Sequence, residues 1–427
     1  MTSKVIQSVR GMHGLIPGTA AQYSEIQKKA VGVIQSYAYD EIQLPLLEYT
    51  DLFARGVGES TDIVEKEMYS LDDRDGVSLS LRPEGTAGCV RALEENGLLY
   101  NQTQKIFYTG PMFRYEKPQK GRYRQFNQIG VESYGFKGPD IDLELLLMMR
   151  DILSELDISS EVSLEINNLG SVESRHAYRL ALIEYLEPLR SKLDEDSQRR
   201  LSSNPLRILD SKNAQTQDLL LNAPRLDDYS DDDSRDSFAE LCALLDGQGQ
   251  NYVINPFLVR GLDYYTDCVF EWKAKGIGAQ NTICAGGRYD GLVGKLGGRE
   301  TPAIGFAIGL ERLVLAVEQT QDQLPVIGSA DVYVCMLGES LLSRAIELGA
   351  QIRQRKADLK VRVHMGGGNL KKQFKKADTS GAKWALLIGE EEIEKNMVSL
   401  KDLRDSTTGQ TMLSLEEAIQ KIVVNKS

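Results

Sequence analysis

Cysteine is scarce and shows no paired pattern: Cys89, Cys242, Cys268, Cys284 and Cys335 lie far apart, with no CxxC spacing. Their odd number and scatter exclude a disulfide framework. The three histidines, His13, His176 and His364, are equally dispersed, so no zinc-ligand spacing emerges. No apolar run approaches the roughly 20 residues that span a bilayer, and the opening MTSKVIQSVRGMHG has no apolar stretch of signal-peptide length. The expectation is a cytoplasmic protein with reduced thiols and no membrane partner. Internal repeats and low-complexity tracts are also missing.

What is present is a long, mixed-charge chain. Its 427 residues, 41% hydrophobic, suffice for two or three domains with sizeable cores. The net charge of −12 argues at first against a nucleic-acid partner. The charge is unevenly distributed, however. Arg114 to Phe126, RYEKPQKGRYRQF, carries Arg114, Lys117, Lys120, Arg122 and Arg124 against a single Glu116, and a second basic cluster runs from Arg353 to Lys376. The acidic surplus sits elsewhere, in runs such as LDDYSDDDSRDSFAE (Leu226 to Glu240), which read as solvated faces. Two basic patches could therefore receive a polyanion on a chain that is acidic overall.

Patterning divides the chain into four. Residues 1–170 combine an early helix (Ala21 to Tyr37) with short strands, including KIFYTGPMFR and FNQIGVESYG, joined by the basic loop at Lys117 to Gly121. Residues 171–248 turn helical and charged, as an inserted helical domain would. Residues 249–322 return to strands and end on TPAIGFAIGLERLVLAVEQ, a strand running into a helix. A polar, Pro-containing linker, QTQDQLPVIGSA, precedes residues 330–427. There strands alternate with helices, which implies an α/β domain with a mostly parallel sheet.

The segments LVRGLDYYTDCVFEW (Leu258 to Trp272) and CAGGRYDG (Cys284 to Gly291) are the most informative. Arg260 is a fixed cation beside a turn-forming glycine, Tyr264 and Tyr265 bring two hydroxyls near it, and Gly286 and Gly287 admit a close-approaching backbone. Such a set suits a small polar substrate bearing an anion. On chemistry alone it equally fits a buried strand pair with a satisfied arginine.

These two segments resemble the paired signature motifs of the bacterial-type histidyl-tRNA synthetases, members of the class II aminoacyl-tRNA synthetases. The resemblance runs along nearly the whole chain, in the family's domain order. KIFYTGPMFRYEKPQKGRYRQFNQIGVESYG is similar to the second class II motif, GFAIGLERL (Gly305 to Leu313) to the third, and SVRGMHGLIPG to the N-terminal signature, although His13-Gly14 replaces its usual polar-acidic pair. The implied fold is an α+β catalytic core on an antiparallel sheet with a helical insertion (1–170, 171–248, 249–322), followed by an anticodon-binding α/β domain (330–427).

The resemblance also implies roles. Arg114 would hold the α-phosphate of ATP, Arg122 and Arg124 the outer phosphates, Phe126 would stack on adenine, and Arg312 would reach the γ-phosphate. Guanidinium forks suit phosphate oxygens and an aromatic face suits a purine. Arg260 would join Arg114 as a catalytic residue. For the histidine substrate, Glu84, Gly85 and Thr86 in LRPEGTAGCVR would receive the ammonium group. Gln128 would fix its polar end, Glu132 and Tyr265 would meet the two imidazole nitrogens, and Tyr264 and Tyr289 would line the pocket. Gln119 would face the tRNA acceptor stem, with Lys371, Lys372 and Lys375 on the anticodon side. The expected activity is ligation of L-histidine to histidine tRNA with ATP and Mg²⁺, in a homodimer joined through the early helix and the LPLLE strand. The rival is a non-catalytic paralogue serving as a histidine- or tRNA-sensing regulatory subunit. Such paralogues lose the catalytic arginine or the last domain, and this chain retains both.

Overall fold

The computed structural model describes residues 5–59, 61–278, 281–320, 330–405, 407 and 409–424. The chain forms two compact units, Met1–Leu324 and Pro325–Ser427. The stretch expected to act as the linker lies for the most part outside the described residues.

The first unit is built on one eight-stranded sheet. Its strands in chain order are β1 (Asp40–Glu41), β2 (Gln104–Phe113), β3 (Gln125–Tyr134), β4 (Val162–Asn168), β5 (Val253–Ile254), β6 (Thr266–Ala274), β7 (Thr282–Arg288) and β8 (Ala303–Gly309). Across the sheet they run β1-β2-β3-β8-β7-β6-β4-β5. The five pairings from β2 to β4 are antiparallel, and only the short edge strands β1 and β5 join in parallel. Alternation along each strand separates two faces. Ile129 and Val131 of β3, Ile304, Phe306 and Ile308 of β8, and Phe270 and Trp272 of β6 point into one buried core. That core is closed by α1 (Pro17–Ser36), α2 (Pro139–Glu155), a later helix (Asp232–Gly247) and α7 (Leu310–Thr320, numbered below). The opposite face therefore carries the polar residues of the same strands.

Local chemistry explains the helices. Pro17 and Pro139 lie at the starts of α1 and α2, where a missing N–H costs nothing, so α1 begins before the expected Ala21. Between β4 and β5 come α3 (Val172–Leu186), α4 (Glu195–Ser203), α5 (Ala214–Leu220) and α6 (Asp232–Gly247). Each is capped by a side chain accepting from a backbone N–H: Ser171 from Ser174, Asp194 from Ser197, Asn213 from Thr216 and Asp231 from Ser234. The acidic runs thus do more than solvate surfaces. They start helices. The final helix of the unit is α7. The expected LPLLE strand shrinks to Leu47–Tyr49, which pairs in a separate three-stranded sheet with Ser78–Leu81, itself paired to Tyr69–Asp72.

The second unit holds a five-stranded sheet of β9 (Val332–Met336), β10 (Val361–Val363), β11 (Trp384–Ile388), β12 (Val398–Asp402) and β13 (Thr411–Leu413), ordered β10-β9-β11-β12-β13. The expectation of a mostly parallel sheet needs correcting. β9 pairs in parallel with β10 and β11, as strand–helix alternation requires, but β12 and β13 add in antiparallel order, so the sheet is mixed. The connection from β11 to β12 holds only the five-residue helix Glu390–Glu394, too short to cross the sheet, and this meander lies beyond the last strand read from the sequence.

Candidate active site

A cavity of about 670 Å³ opens on the polar face of the large sheet. Glu84, Thr86, Arg114, Arg122, Phe126, Gln128, Arg260, Tyr264, Tyr265 and Arg312 all line it. Residues more than two hundred positions apart in sequence are gathered here because β3, β6, β7 and β8 are neighbours in the sheet.

One end of the cavity is cationic. Arg114 donates from Nε to the carbonyl of Pro83 at 2.8 Å, which ties the LRPEG loop to the end of β2, and its guanidinium lies 5.3 Å from the centre of the Phe126 ring. Arg122 forms an ion pair with Glu116. Arg312, in the first turn of α7, donates to the carbonyls of Gly121 at 3.1 Å and Thr282 at 2.9 Å. Burial, then the charges of Arg122 and Arg114, push Arg312 down to about 10. Burial also lowers Arg114 and Arg122, more than the nearby Glu67 raises them, and Glu116, paired with Arg122, lies 4.0 Å from Arg114. Glu311, the carboxylate next to Arg312, is taken up by the backbone and side-chain nitrogens of Asn127.

Arg260 lines the same cavity. It is ion-paired to Glu271 of β6, and that carboxylate is braced by the Thr282 hydroxyl at 2.9 Å and by Lys273 at 3.6 Å. Burial disfavours the Arg260 charge, but Glu271, Tyr265 and Tyr264 together outweigh it and the net shift is upward. Its Nε is buried without a hydrogen-bond partner among the described residues, as is Oε1 of Gln128. Both atoms are left available to a ligand.

Beneath the cavity lining lies a buried carboxylate, Glu132, in a ring of hydroxyls. Glu132 accepts from Thr86 Oγ1 at 2.7 Å, Tyr108 at 3.3 Å and Tyr289. Tyr264, Tyr265 and Tyr289 pack edge to face or tilted around it, with centroids 4.7 Å to 6.3 Å apart. Two glycines create the space. A Cβ on Gly130 would strike the Tyr108 ring directly opposite it in register, and one on Gly305 would strike the Glu132 carboxylate. Gly305→Ala is accordingly expected to displace that carboxylate and to raise the KM for the small substrate by about tenfold or more while the fold persists. Steady-state kinetics with unchanged circular dichroism would check it, and an unaltered KM would refute it.

Burial, opposed in part by the hydroxyls of Tyr289 and Thr86, pushes Glu132 up to about 8, against an ordinary carboxyl pKa near 4.5. The protonated form is thus favoured by folding. Its contribution to stability is complete below the ordinary value and is lost as pH rises through about 8. Glu132→Gln should therefore lose less stability than wild type between about pH 5 and pH 8.5, as read from denaturation midpoints. Equal losses in the two proteins would contradict this.

Other expected site residues fall differently. Glu84 lines the cavity, and its oxygens also accept from the Thr86 and Ala87 N–H groups at the start of the helix Thr86–Glu95. Gly85 leaves room for the Tyr108 ring. Glu132 and Tyr289 lie just beneath the cavity surface, 1% exposed each. Arg124 is not brought to the cavity. Its guanidinium stacks 3.6 Å from the Tyr115 ring centre and Nε donates to the Glu116 carbonyl at 3.1 Å. Gln119 is exposed at the loop tip. Lys371, Lys372 and Lys375 are exposed on the helix Leu370–Thr379 of the second unit. Sequence reading missed Glu271, Glu116, Thr282 and Tyr108. Strand alternation puts Glu271 on the same face of β6 as Val269 and Lys273, but does not place it beside Arg260. It also missed the contribution of the helical insert: Arg207, Ser211, Lys212, Gln217 and Leu221 line the cavity too.

Comparison with known proteins gives consistent results. A histidyl-tRNA synthetase family model matches residues 11–313, and an anticodon-binding domain model matches residues 331–425. The crystal structure of apo histidyl-tRNA synthetase from S. aureus is similar at 34% identity and a TM-score of 0.79, over 98% of this chain and 100% of that one. Histidyl-tRNA synthetase from Nostoc sp. PCC 7120 shares the fold at 20% identity, TM-score 0.72, over 99% and 100% of the two chains. So does a Bacillus halodurans protein described as an ATP phosphoribosyltransferase regulatory subunit/histidyl-tRNA synthetase, at 23% identity, TM-score 0.65, over 91% and 99%.

Proposed function

The chain belongs to the histidyl-tRNA synthetase family, and from that premise we propose that its cavity performs both half-reactions of a histidine–tRNA ligase. In the first, an oxygen of the histidine carboxylate attacks the α-phosphorus of ATP and pyrophosphate leaves. In the second, a ribose hydroxyl at the 3′ end of histidine tRNA attacks the activated carbonyl, AMP departs and the hydroxyl proton is released. Neither step requires a protein nucleophile. Catalysis rests on positioning and on charge stabilisation, by Arg114 and Arg260 at the α-phosphate and by Arg122 and Arg312 at the outer phosphates. Phe126 offers a stacking face for adenine.

The observation that carries this reading is one cavity lined by a cluster of guanidiniums, Arg114, Arg122 and Arg312, with a buried carboxylate ringed by hydroxyls beneath its lining. The first suits a triphosphate. The second suits an imidazole, with Glu132 at one nitrogen and Tyr265 at the other, while Glu84, Thr86 and Gln128 face the amino-acid end. Tyr264 and Tyr289 wall the pocket. Mg²⁺ would arrive on the ATP oxygens: among the described residues no group of three or more His, Cys, Asp or Glu side chains could hold an ion, and Glu116, Glu271 and Glu311 already have partners.

Residues 1–170 and 249–322 would form the catalytic domain, 171–248 the insertion and 330–427 the anticodon-binding domain, where Lys371, Lys372 and Lys375 face the tRNA. Gln119 would approach its acceptor stem. No helix among the described residues is long and apolar enough to cross a membrane, which accords with a cytoplasmic location. The apolar side chains exposed on the small sheet, Leu47, Tyr49 and Leu71, support a homodimer through this region and α1. Transfer of labelled histidine to histidine tRNA, with other tRNAs as controls, tests the whole reaction. Absence of charged tRNA would favour the non-catalytic regulatory rival.

A further inference from the structure

The segment SVRGMHG ahead of α1 is held on the loop that carries Arg122. Among the described residues 5–14 only Gly11 is buried. It is the third residue of a turn closed by the Met12 N–H, which donates to the Val9 carbonyl at 2.9 Å, and its φ of +79° is that of a type II turn, which glycine takes without strain. The Gly11 carbonyl meets the start of β3. Strand β8 covers β3 only as far as Gln128. Beyond that point the N–H of Asn127 is taken by Glu311, and those of Gln125 and Arg124 donate to the Gly11 carbonyl at 3.3 Å and 2.7 Å. Gly11 thus supplies an acceptor that β8 does not reach far enough to give.

The same backbone holds Arg114. The Arg124 carbonyl accepts from the Arg114 N–H at 2.9 Å, so one residue joins the turn to the arginine at the end of β2. Side chains extend the grip. A Cβ on Gly11 would lie 2.9 Å from Cγ of both Arg124 and Pro118, and the His13 ring packs edge to face on Tyr123 with centroids 5.4 Å apart. Tyr123 and Arg122 both line the cavity. The turn therefore touches the loop on both sides of Arg122, at Pro118 before it and at Tyr123 and Arg124 after it. No hydrogen bond or ring contact joins the turn to Thr86, Glu132 or Tyr265 among the described residues.

Resting on the ligase reading above, we propose that Gly11 and His13 are positioning residues of the ATP site: their turn fixes the backbone at Arg124, and through it the places of Arg114 and Arg122 against the triphosphate. A guanidinium fork grips phosphate oxygens only when its long side chain springs from a fixed backbone, and a displacement of about 1 Å in such a site can cost about a hundredfold in rate. Arg124 acts here through its backbone, while its guanidinium is spent on Tyr115 and the Glu116 carbonyl inside the loop. His13 stands where the N-terminal signature usually has a polar residue, so its ring contact with Tyr123 is a feature of this chain's own sequence.

The test compares Gly11→Ala, His13→Ala and His13→Phe with wild type, by calorimetric binding of ATP and by histidine-dependent pyrophosphate exchange. Gly11→Ala, which pushes the turn off Arg124 and Pro118, should weaken ATP binding and raise the KM for ATP by about tenfold or more, while the KM for histidine stays within about threefold. His13→Ala should raise the KM for ATP by about threefold, and His13→Phe, which keeps the edge-to-face contact, should restore it. A merely structural role would lower the melting midpoint without parting the two KM values. ATP affinity unchanged in Gly11→Ala and His13→Ala, or the two KM values rising together, would overturn the proposal; if Gly11→Ala does not fold, the two His13 variants decide. Wild type separates this proposal from the ligase reading: bound ATP without exchange removes the ligase reading while the ATP affinities still decide this one, and no binding of ATP by wild type removes both.

Discussion

Arg260→Ala is expected to lower the rate of histidine activation by about two to three orders of magnitude, with a much smaller change in the KM for ATP. The reasoning starts from how this side chain is held. One nitrogen is ion-paired to Glu271, which is itself held by Thr282 and Lys273, while Nε is buried and unpaired. A cation fixed before the reaction pays no reorganisation cost as charge develops on the α-phosphoryl oxygens, and in a site screened from water its effect is large. Ground-state binding of ATP is shared among Arg114, Arg122 and Arg312, so it should survive better than turnover. Arg260→Lys should rescue only a small part of the loss, because one ammonium cannot engage both Glu271 and the substrate in a fork. Single-turnover formation of adenylate measures this directly. A loss below about fivefold would remove Arg260 from the chemistry.

Glu132→Gln should raise the KM for histidine by about two orders of magnitude and leave the KM for ATP within about threefold. At neutral pH the empty site holds a proton on Glu132, since its pKa lies near 8, whereas a free imidazole with a pKa of about 6.5 is mostly neutral. The two together carry one proton, which can sit on either partner, so binding near neutral pH needs no net exchange with water. Glutamine preserves the shape and can still accept an N–H, but it cannot form the charge-assisted pair, and its amide group disturbs the hydroxyls of Thr86 and Tyr289. Histidine affinity in wild type should also weaken below about pH 6, where both groups are protonated and one proton must be expelled. A KM for ATP that rises in step with that for histidine would show that the substitution damages the whole cavity and not its imidazole end.

Much of this site is legible in the sequence because its residues lie on strands whose register follows from alternation. Gln128 and Glu132 are four apart on β3 and so share a face, and glycine at 305 stands where β8 passes Glu132. The arginines were readable from motif resemblance, which reports on chemistry but not on side-chain direction. That explains Arg124, which stacks on Tyr115 away from the cavity although it is two residues from Arg122. Glu271 was hidden for another reason: a carboxylate eleven residues from Arg260 becomes its partner only through the path of the loop into β6. Arg207 carries no local signal, because its place in the cavity depends on ties between the insert and Asp62 and Asp263. The antiparallel β12 and β13 follow the same rule, being short and set by pairing more than by pattern.

The central claim is that this chain activates histidine, and the most direct measurement is exchange of labelled pyrophosphate into ATP with histidine, proline, threonine or glycine as the amino acid. Exchange that depends on histidine and is not supported by the other three is the predicted result. No exchange with any of them would contradict the account and leave a histidine- or tRNA-binding regulator in its place.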